Sequence, residues 1–481
     1  MNRLLLFSFI TFLGTFFSSA KSDKKYFTES TRPQFHYSPE ENRMGSPTGL
    51  FFQDSIYHLF FECNRQSSLK RNNGMAHATS KDLIHWTHEG HIFEIDFKDE
   101  DTISNFDWSG SVVIDLINSS KLGVNGTPPV IAFFTGKNNC QYRAHGSLSG
   151  NWQIDPEPLA VGEGLCGSPK VFYHQGSSNW IMVLTQCNIA TGNASKVFFY
   201  TSPDLKNWSL SATRTNLPEC AALFCLTDEK NQEQWIYASA NGKSILGNFD
   251  GKDFKPQIQN IALDYGKGFN GLCVIKREQK DILINGLKGG ASPHIPFVGQ
   301  LGFPTEIKLI SKGENPVIVR TPIENLVSIR KKGLSKKEKN IIPGLKNNPV
   351  SSINGKELYF SSTIRLKTAN KFSIFVRQGK KSPGIELLYE IQRQDQPLYQ
   401  MFVKDSGVKI EPMEGEKIII EFLLDRSSLE VFVNEGEYVF SYLTEEPDLG
   451  KDLLLINAGG EIFIENLFVD KILSIWDEHR N

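Results

Sequence analysis

Read for side chains that could do chemistry, the chain offers few ready-made sets. Seven cysteines, at positions 63, 140, 166, 187, 220, 225 and 273, are scattered without a CxxC pair or a His-rich spacing, so no metal centre or redox motif is expected. Their odd number leaves at least one thiol unpaired within the chain, and spacing alone does not assign bridges. The stretch RPQFHYSPEENRMGSPTGLFF, residues 32–52, is more suggestive. It carries His36 and then a turn, Gly45-Ser46-Pro47-Thr48-Gly49, with no charged group at its tip. A serine hydroxyl is a weak nucleophile unless an adjacent base takes its proton. His36, set among aromatics and prolines, reads as a packed residue and not as that base.

The elements that must position such groups are strands. The sequence has 34 Phe and many short Val/Ile/Phe/Tyr runs bounded by Gly, Asn and Asp, the pattern of strands and tight turns. A length of 481 residues favours two or more domains. Lys+Arg 52 against Asp+Glu 54 leaves a formal charge of −2, which gives no reason to expect a nucleic-acid partner. The first twenty residues differ from the rest: Arg3, an apolar run from Leu4 to Phe17, then Ser18-Ser19-Ala20. This predicts a secretory signal peptide cleaved near Ala20, hence a secreted or periplasmic protein. The run is too short to span a bilayer comfortably, and no later segment is apolar enough to span one.

Two stretches share a frame, Thr-Ser-x-Asp-Leu-x-x-Trp: TSKDLIHW (Thr79 to Trp86) and TSPDLKNW (Thr201 to Trp208). GSLSGNWQ from Gly146 and NFDGKDFKP from Asn248 are weaker echoes. Each follows an apolar stretch and offers turn residues before an aromatic, as a hairpin in a repeated antiparallel unit would. Spacings of roughly fifty to seventy residues suit four-stranded sheets with loops, so an all-β fold opening with a β-propeller is expected over residues 26–328. Trp86 and Trp208 recur at equivalent places and read as structural. Residues 329–349, rich in Lys, Asn and Gly, read as a linker. Alternating segments with regular turn signals then predict a β-sandwich over 350–481.

With these residues in place the mature chain, from about Arg32 to Trp476, resembles glycoside hydrolase family 32, the secreted β-fructosidases that include invertases, inulinases and levanases. The resemblance implies a five-bladed β-propeller with the active site in its central funnel, followed by a C-terminal β-sandwich, and no cofactor. The opening stretch corresponds to a family motif in which His, Phe and Pro residues lead to Trp-Met-Asn-Asp-Pro-Asn-Gly. Met44, Pro47, Gly49 and Leu50 match it, but Ser46 stands where the nucleophilic Asp is expected, with Arg43 for the Trp. The family's Arg-Asp-Pro, whose Asp holds sugar hydroxyls at the transition state, is Gly167-Ser168-Pro169 here, with the flanking Pro-Lys-Val kept. Glu219-Cys220 keeps the Glu-Cys motif of the general acid/base, although Ala221 replaces the following Pro.

Other expected funnel positions also depart. YHLFFECN (Tyr57 to Asn64) puts Glu62 where the resemblance implies a substrate-binding Gln. GMAHATS puts Met75 where a pocket Trp is usual, and GFPTEI puts Thr305 where an Arg follows the Pro. DWSGSVV keeps Ser109-Gly110-Ser111, with Trp108 for a Phe. The run Leu429-Glu430-Val431-Phe432-Val433-Asn434 in the sandwich is nearly intact.

A retaining glycosidase needs two carboxyl groups about 5 Å apart. Ser46 does not supply one. Glu219 remains as a proton donor or a ligand contact, Glu62 is a second carboxyl if it projects into the funnel, and Trp108 offers a flat face for a sugar ring or a core contact. Three functions follow: a secreted carbohydrate-binding or sensing protein derived from a fructosidase and silent towards fructans, a glycoside hydrolase of altered chemistry using Glu219 with Glu62 or another acidic group, or a structural or protein-interaction propeller with a vestigial funnel.

Overall fold

The computed structural model describes residues 27–476 apart from 65–73, 93–105, 137–139, 163–166, 188–193, 289–294, 314, 343–347, 379–382 and 445–452. The expected signal peptide lies outside these residues. Among the described residues no helix is long and apolar enough to cross a membrane.

Five antiparallel sheets follow one another along the chain. Blade 1 is built from Asn42–Gln53, Ile56–Asn64, Gly74–Ser80 and Trp86–His91, and blade 2 from Phe106–Ile114, Val130–Gly136, Gln141–Ser147 and Gly150–Ile154. Blade 3 comprises Lys170–His174, Asn179–Cys187, Ala194–Ser202 and Ser209–Arg214, and blade 4 Ala222–Thr227, Glu233–Ala238, Lys243–Phe249 and Phe254–Ala262. Phe269–Arg277, Lys280–Leu287, Thr305–Lys312 and Asn315–Pro322 form blade 5. The first strand of every blade borders a common axial channel of about 290 Å³, to which the five contribute Leu50, Val112, Val171, Leu223 and Val274 among others. This is the expected five-bladed propeller.

The repeated motif has a physical cause. In both complete copies the turn joins a blade's third strand to its outermost one. Ser80 Oγ accepts from the Leu83 amide (2.8 Å), and Asp82 Oδ1 from the amides of Ile84 and His85 (2.9 and 2.8 Å). Asp204 Oδ1 likewise accepts from Lys206 and Asn207 (3.0 and 2.8 Å). These bonds hold Leu83 and Leu205 at φ of 68° and 61°, a left-handed conformation unusual for leucine, while both side chains are buried. Trp86 and Trp208 are buried beside them, as a structural role requires. Both weaker echoes occupy the same hairpin in blades 2 and 4, where Asp250 repeats the carboxylate turn to Lys252 and Asp253.

The ring closes through blade 1. Asn42 and Arg43 pair in parallel with Phe297 and Val298, which come from the long connection inside blade 5. Beyond the propeller, two sheets of six and five strands form the sandwich around a large apolar cluster that includes Phe360, Ile374, Ile420 and Val431.

One expectation is corrected here. Of the stretch 329–349 read as a linker, Arg330–Ile341 is a strand paired along its length with Ile462–Ile472. It is the edge of its sheet, and its Lys residues at 331, 332, 337 and 339 are exposed. Edge strands take lysine because it blocks further pairing, and that composition hid the strand.

The propeller is fastened to the sandwich by buried charge. His36 donates from its two ring nitrogens to Asp425 (2.8 Å) and Glu430 (2.7 Å), and all three side chains are fully buried. Asp425 also accepts from the amides of Gln34 and Phe35, and Glu430 from that of Phe303. Burial alone would lower the His36 pKa, but its two carboxylate partners outweigh it and hold the imidazolium up to about 9. Burial likewise pushes Asp425 up, and His36 with the backbone amides more than reverses this, leaving it below the usual range. The His36 contribution to stability is therefore complete below its ordinary pKa and lost as pH rises through about 9. We expect the melting temperature to fall between pH 7 and 10. His36→Ala should cost about 3–5 kcal/mol at neutral pH, since it leaves two buried carboxylates without their cation, and should flatten that decline; an unchanged pH slope would refute the assignment.

Candidate functional site

At one end of the axial channel a smaller cavity of about 190 Å³ collects side chains from all five blades. Ser46 and Glu62 come from the first two strands of blade 1, Ser109 from the first strand of blade 2, and Ser168 and Lys170 from the entry to blade 3. Glu219 precedes blade 4, and Gly271 lies on the first strand of blade 5. The first strands of blades 1, 2 and 5 are irregular at this end, with register breaks between Met44 and Gly49, between Asp107 and Gly110, and between Asn270 and Leu272. Such irregularities turn side chains out of the ladder, which is how Ser46, Ser109 and Gly271 reach the cavity.

Ser46 is set by its neighbours. Its Oγ accepts a hydrogen bond from Asn270 Nδ2 at 3.1 Å. Gly271 adopts a φ of +67°, and a Cβ built on it would stand 2.7 Å from Ser46 Cβ. The bond from Asn270 occupies one of the two lone pairs of Oγ and brings no base to it, and His36 is committed to Asp425 and Glu430. A serine-nucleophile chemistry of the Ser–His kind therefore has no support in this geometry.

The segment carrying Ser168 is clamped on both sides. Gly167 donates its amide to Thr185 O (3.1 Å) and accepts from Thr135 Oγ1 (3.2 Å) at its carbonyl, while Ser111 Oγ donates to Pro169 O (2.9 Å). Lys170 Nζ donates to Gly110 O at 3.0 Å, so the ammonium bridges blades 3 and 2 at the cavity wall. Glu219 is exposed, and its loop is pinned on either side: Tyr237 OH donates to Pro218 O (2.7 Å) and the Ala221 amide to Ala238 O (2.8 Å). Burial pushes the Cys220 thiol, which also lines the cavity, up to about 12, so it stays protonated and inert.

Five residues singled out in the sequence, Ser46, Glu62, Ser109, Ser168 and Glu219, thus line one cavity. Glu62 is buried and Glu219 exposed, so the two carboxyl groups meet the same space from different environments. Met75 is a correction. It pairs directly across from Glu62, yet it is buried among Phe51, Phe60 and Val112 between blades 1 and 2 and does not line the cavity. An unbranched apolar side chain gains more from that layer than from a polar wall. Trp108 belongs to the strand Phe106–Ile114, but its side chain lies outside the described residues. Sequence reading missed Lys170, although it sits in the retained Pro-Lys-Val, and missed Asn270 and Gly271, for which only a glycine in an apolar run gave a signal. Among the described residues no group of three or more His, Cys, Asp or Glu gathers to hold a metal, and five cysteines are free thiols.

Gly271→Ala should be costlier than a left-handed backbone alone explains, because it forces Ser46 aside. Gly126, at φ +79° with nothing within 4 Å of a built Cβ, is the control. Urea unfolding should show Gly271→Ala losing about 1–3 kcal/mol more than Gly126→Ala, and equal losses would show that Ser46 yields freely.

The chain matches the model of the glycosyl hydrolases family 32 N-terminal domain over residues 36–322 and that of the family 32 C-terminal domain over 325–444. It is 26% identical to a levanase of Bacillus subtilis over an alignment of 532 positions, gaps included, covering 98% of this chain and 75% of the relative. It is 24% identical to an extracellular exo-inulinase of Aspergillus niger, covering 93% of this chain and 95% of the relative. Among solved structures, exo-inulinase from Aspergillus awamori superposes with a TM-score of 0.80 at 22% identity, over 94% of this chain and 100% of that one. With the family models covering both the propeller and most of the sandwich, the chain belongs to glycosyl hydrolases family 32.

Proposed function

We propose that this family 32 protein is a secreted carbohydrate-binding member whose fructosidase chemistry is impaired. The observation that carries the reading is the lining of the small cavity. Three hydroxyls, Ser46, Ser109 and Ser168, one ammonium, Lys170, and two carboxyls, Glu62 and Glu219, surround a space at the funnel end. By the motif correspondence Ser46 and Ser168 hold the places of the nucleophile and of the transition-state partner. Hydroxyls there donate to and accept from sugar hydroxyls, but they do not supply a charged attacking group. Export is supported by the N-terminal apolar run and by the extracellular relative.

A second reading rests on the shared cavity of Glu62 and Glu219: one carboxyl protonates the leaving oxygen while the other activates water, an altered hydrolysis that needs no aspartate at position 46. The same assay separates the two.

Purified protein should release no fructose from sucrose, inulin or levan, and Ser46→Asp alone should not restore release. Loss of one positioned polar contact commonly costs about 3 kcal/mol at the transition state, and here several are lost as a unit. Glu62 would also repel the new carboxylate. Repair at position 167 meets a further obstacle: a Cβ there would lie 2.8 Å from Thr185 Cβ, so Gly167→Arg has to be combined with Thr185→Gly as well as with Ser46→Asp and Ser168→Asp. Product release by the wild type would overturn the binding reading and favour the second.

Calorimetry with fructose and with 1-kestose should show saturable binding that Glu219→Ala weakens about tenfold, the effect of losing one or two hydrogen bonds to a charged group. Affinity unchanged by that substitution would mean that the cavity does not hold the sugar.

A further inference from the structure

The edge strand Arg330–Ile341 concentrates positive charge in a chain whose formal charge is −2. Its bases are Arg330, Lys331, Lys332, Lys336, Lys337 and Lys339, and its one acid is Glu338. Protection of a sheet edge accounts for the lysines. It does not account for what stands at the strand's two ends. Val327, just before the strand, is 68% exposed, Ile342, just after it, 63%, and Leu473, just past the paired strand Ile462–Ile472, 46%. Eight large apolar side chains are this exposed among the described residues, and three of them frame this one edge.

At one end the two kinds of side chain are drawn together. The Leu473 amide donates to Ile329 O (2.8 Å), which sets Leu473 beside the 3-10 turn Glu324–Ile329 that carries Val327. Lys331 pairs directly across from Lys471, and Lys332 follows it; all three are exposed. The acids around them are already engaged: Asp470 with Arg330 (2.7 Å), Glu324 with Lys280 (3.2 Å) and Glu357 with Arg426 (2.6 Å). The three lysines form no ion pair among the described residues, so their charge is directed outward.

We propose that this end of the sandwich edge is a docking surface for an anionic phospholipid bilayer, on which the protein lies without spanning it. Lysines near such a surface are attracted by its headgroups within about a Debye length, and aliphatic side chains gain by leaving water for the acyl boundary. Lysine joins the two effects, because its alkyl stem lies along apolar surface while its ammonium reaches a phosphate. A soluble polyanion would satisfy the ammonium groups and leave Val327 and Leu473 in water. A second copy of this chain would set like charges against one another. The surface shares no residue with the funnel cavity.

The test is co-sedimentation of the purified protein with vesicles of phosphatidylcholine alone and of phosphatidylcholine mixed equally with phosphatidylglycerol, with binding to dextran sulfate measured in parallel. The wild type should bind the phosphatidylglycerol vesicles at least tenfold more tightly than the neutral ones, and added salt should shrink that lead. Lys331→Glu/Lys332→Glu/Lys471→Glu, which keeps the edge charged against strand pairing, should lose at least tenfold on those vesicles. The same change in charge on blades 3 and 4, Lys206→Glu/Lys230→Glu/Lys252→Glu, should keep binding within about twofold. Val327→Ser/Leu473→Ser should lose about fivefold on vesicles and nothing on dextran sulfate. Equal binding to the two kinds of vesicle, or a charge variant no weaker than its control, would overturn the surface. Vesicle binding that survives Val327→Ser/Leu473→Ser unchanged would overturn the lipid as its occupant and leave a soluble polyanion in its place.

Discussion

The buried cluster of His36, Asp425 and Glu430 is the constraint on which the arrangement depends. A propeller is a ring, and its first strand has to be held at both ends before the funnel has a fixed shape. The entry segment of blade 1 is anchored to the sandwich through His36, closed onto blade 5 through Asn42 and Arg43, and only then delivers Ser46 to the cavity. Among the described residues the sandwich thus frames the site without lining its cavity. Trp476, the last of the described residues, adds to this by donating from its indole to Pro33 O at 2.6 Å and stacking on Phe27.

Much of the fold was legible because its local signals are mechanical. The Asp of TSKDLIHW and TSPDLKNW is there to accept two backbone amides, and the following Leu is driven into an unusual backbone conformation that buries it. Such a turn writes itself into sequence. The edge strand Arg330–Ile341 did not, because lysines that protect an edge look like lysines in a linker. Glu62, Ser109, Ser168 and Glu219 were legible through motif positions and do share one space with Ser46. Met75 was misplaced for a reason that sequence hides: residues directly opposite on neighbouring strands share a face, yet Glu62 reaches the cavity and Met75 fills the layer between blades.

The site also shows how shape and charge separate. The register breaks, the close fit of Gly271 to Ser46 and the clamps around Gly167 and Pro169 maintain a concave polar space whether or not the acids of a glycosidase occupy it. Binding needs donors and acceptors in fixed places. Hydrolysis by retention needs, in addition, two carboxyls at one separation. A polar cavity can have the first property without the second, because hydroxyls and an ammonium held in place by the backbone donate and accept whatever the spacing of its carboxyls.

Thr185 shows how tightly this outline is set. It is a buried residue in the second strand of blade 3, and its branched carbon stands where a side chain at position 167 would begin. An arginine at 167, the type the family motif carries, therefore requires Thr185 on the neighbouring strand to shift or to change. The outline of the funnel at this point is set by two segments together, since side chains at 167 and 185 compete for the same volume.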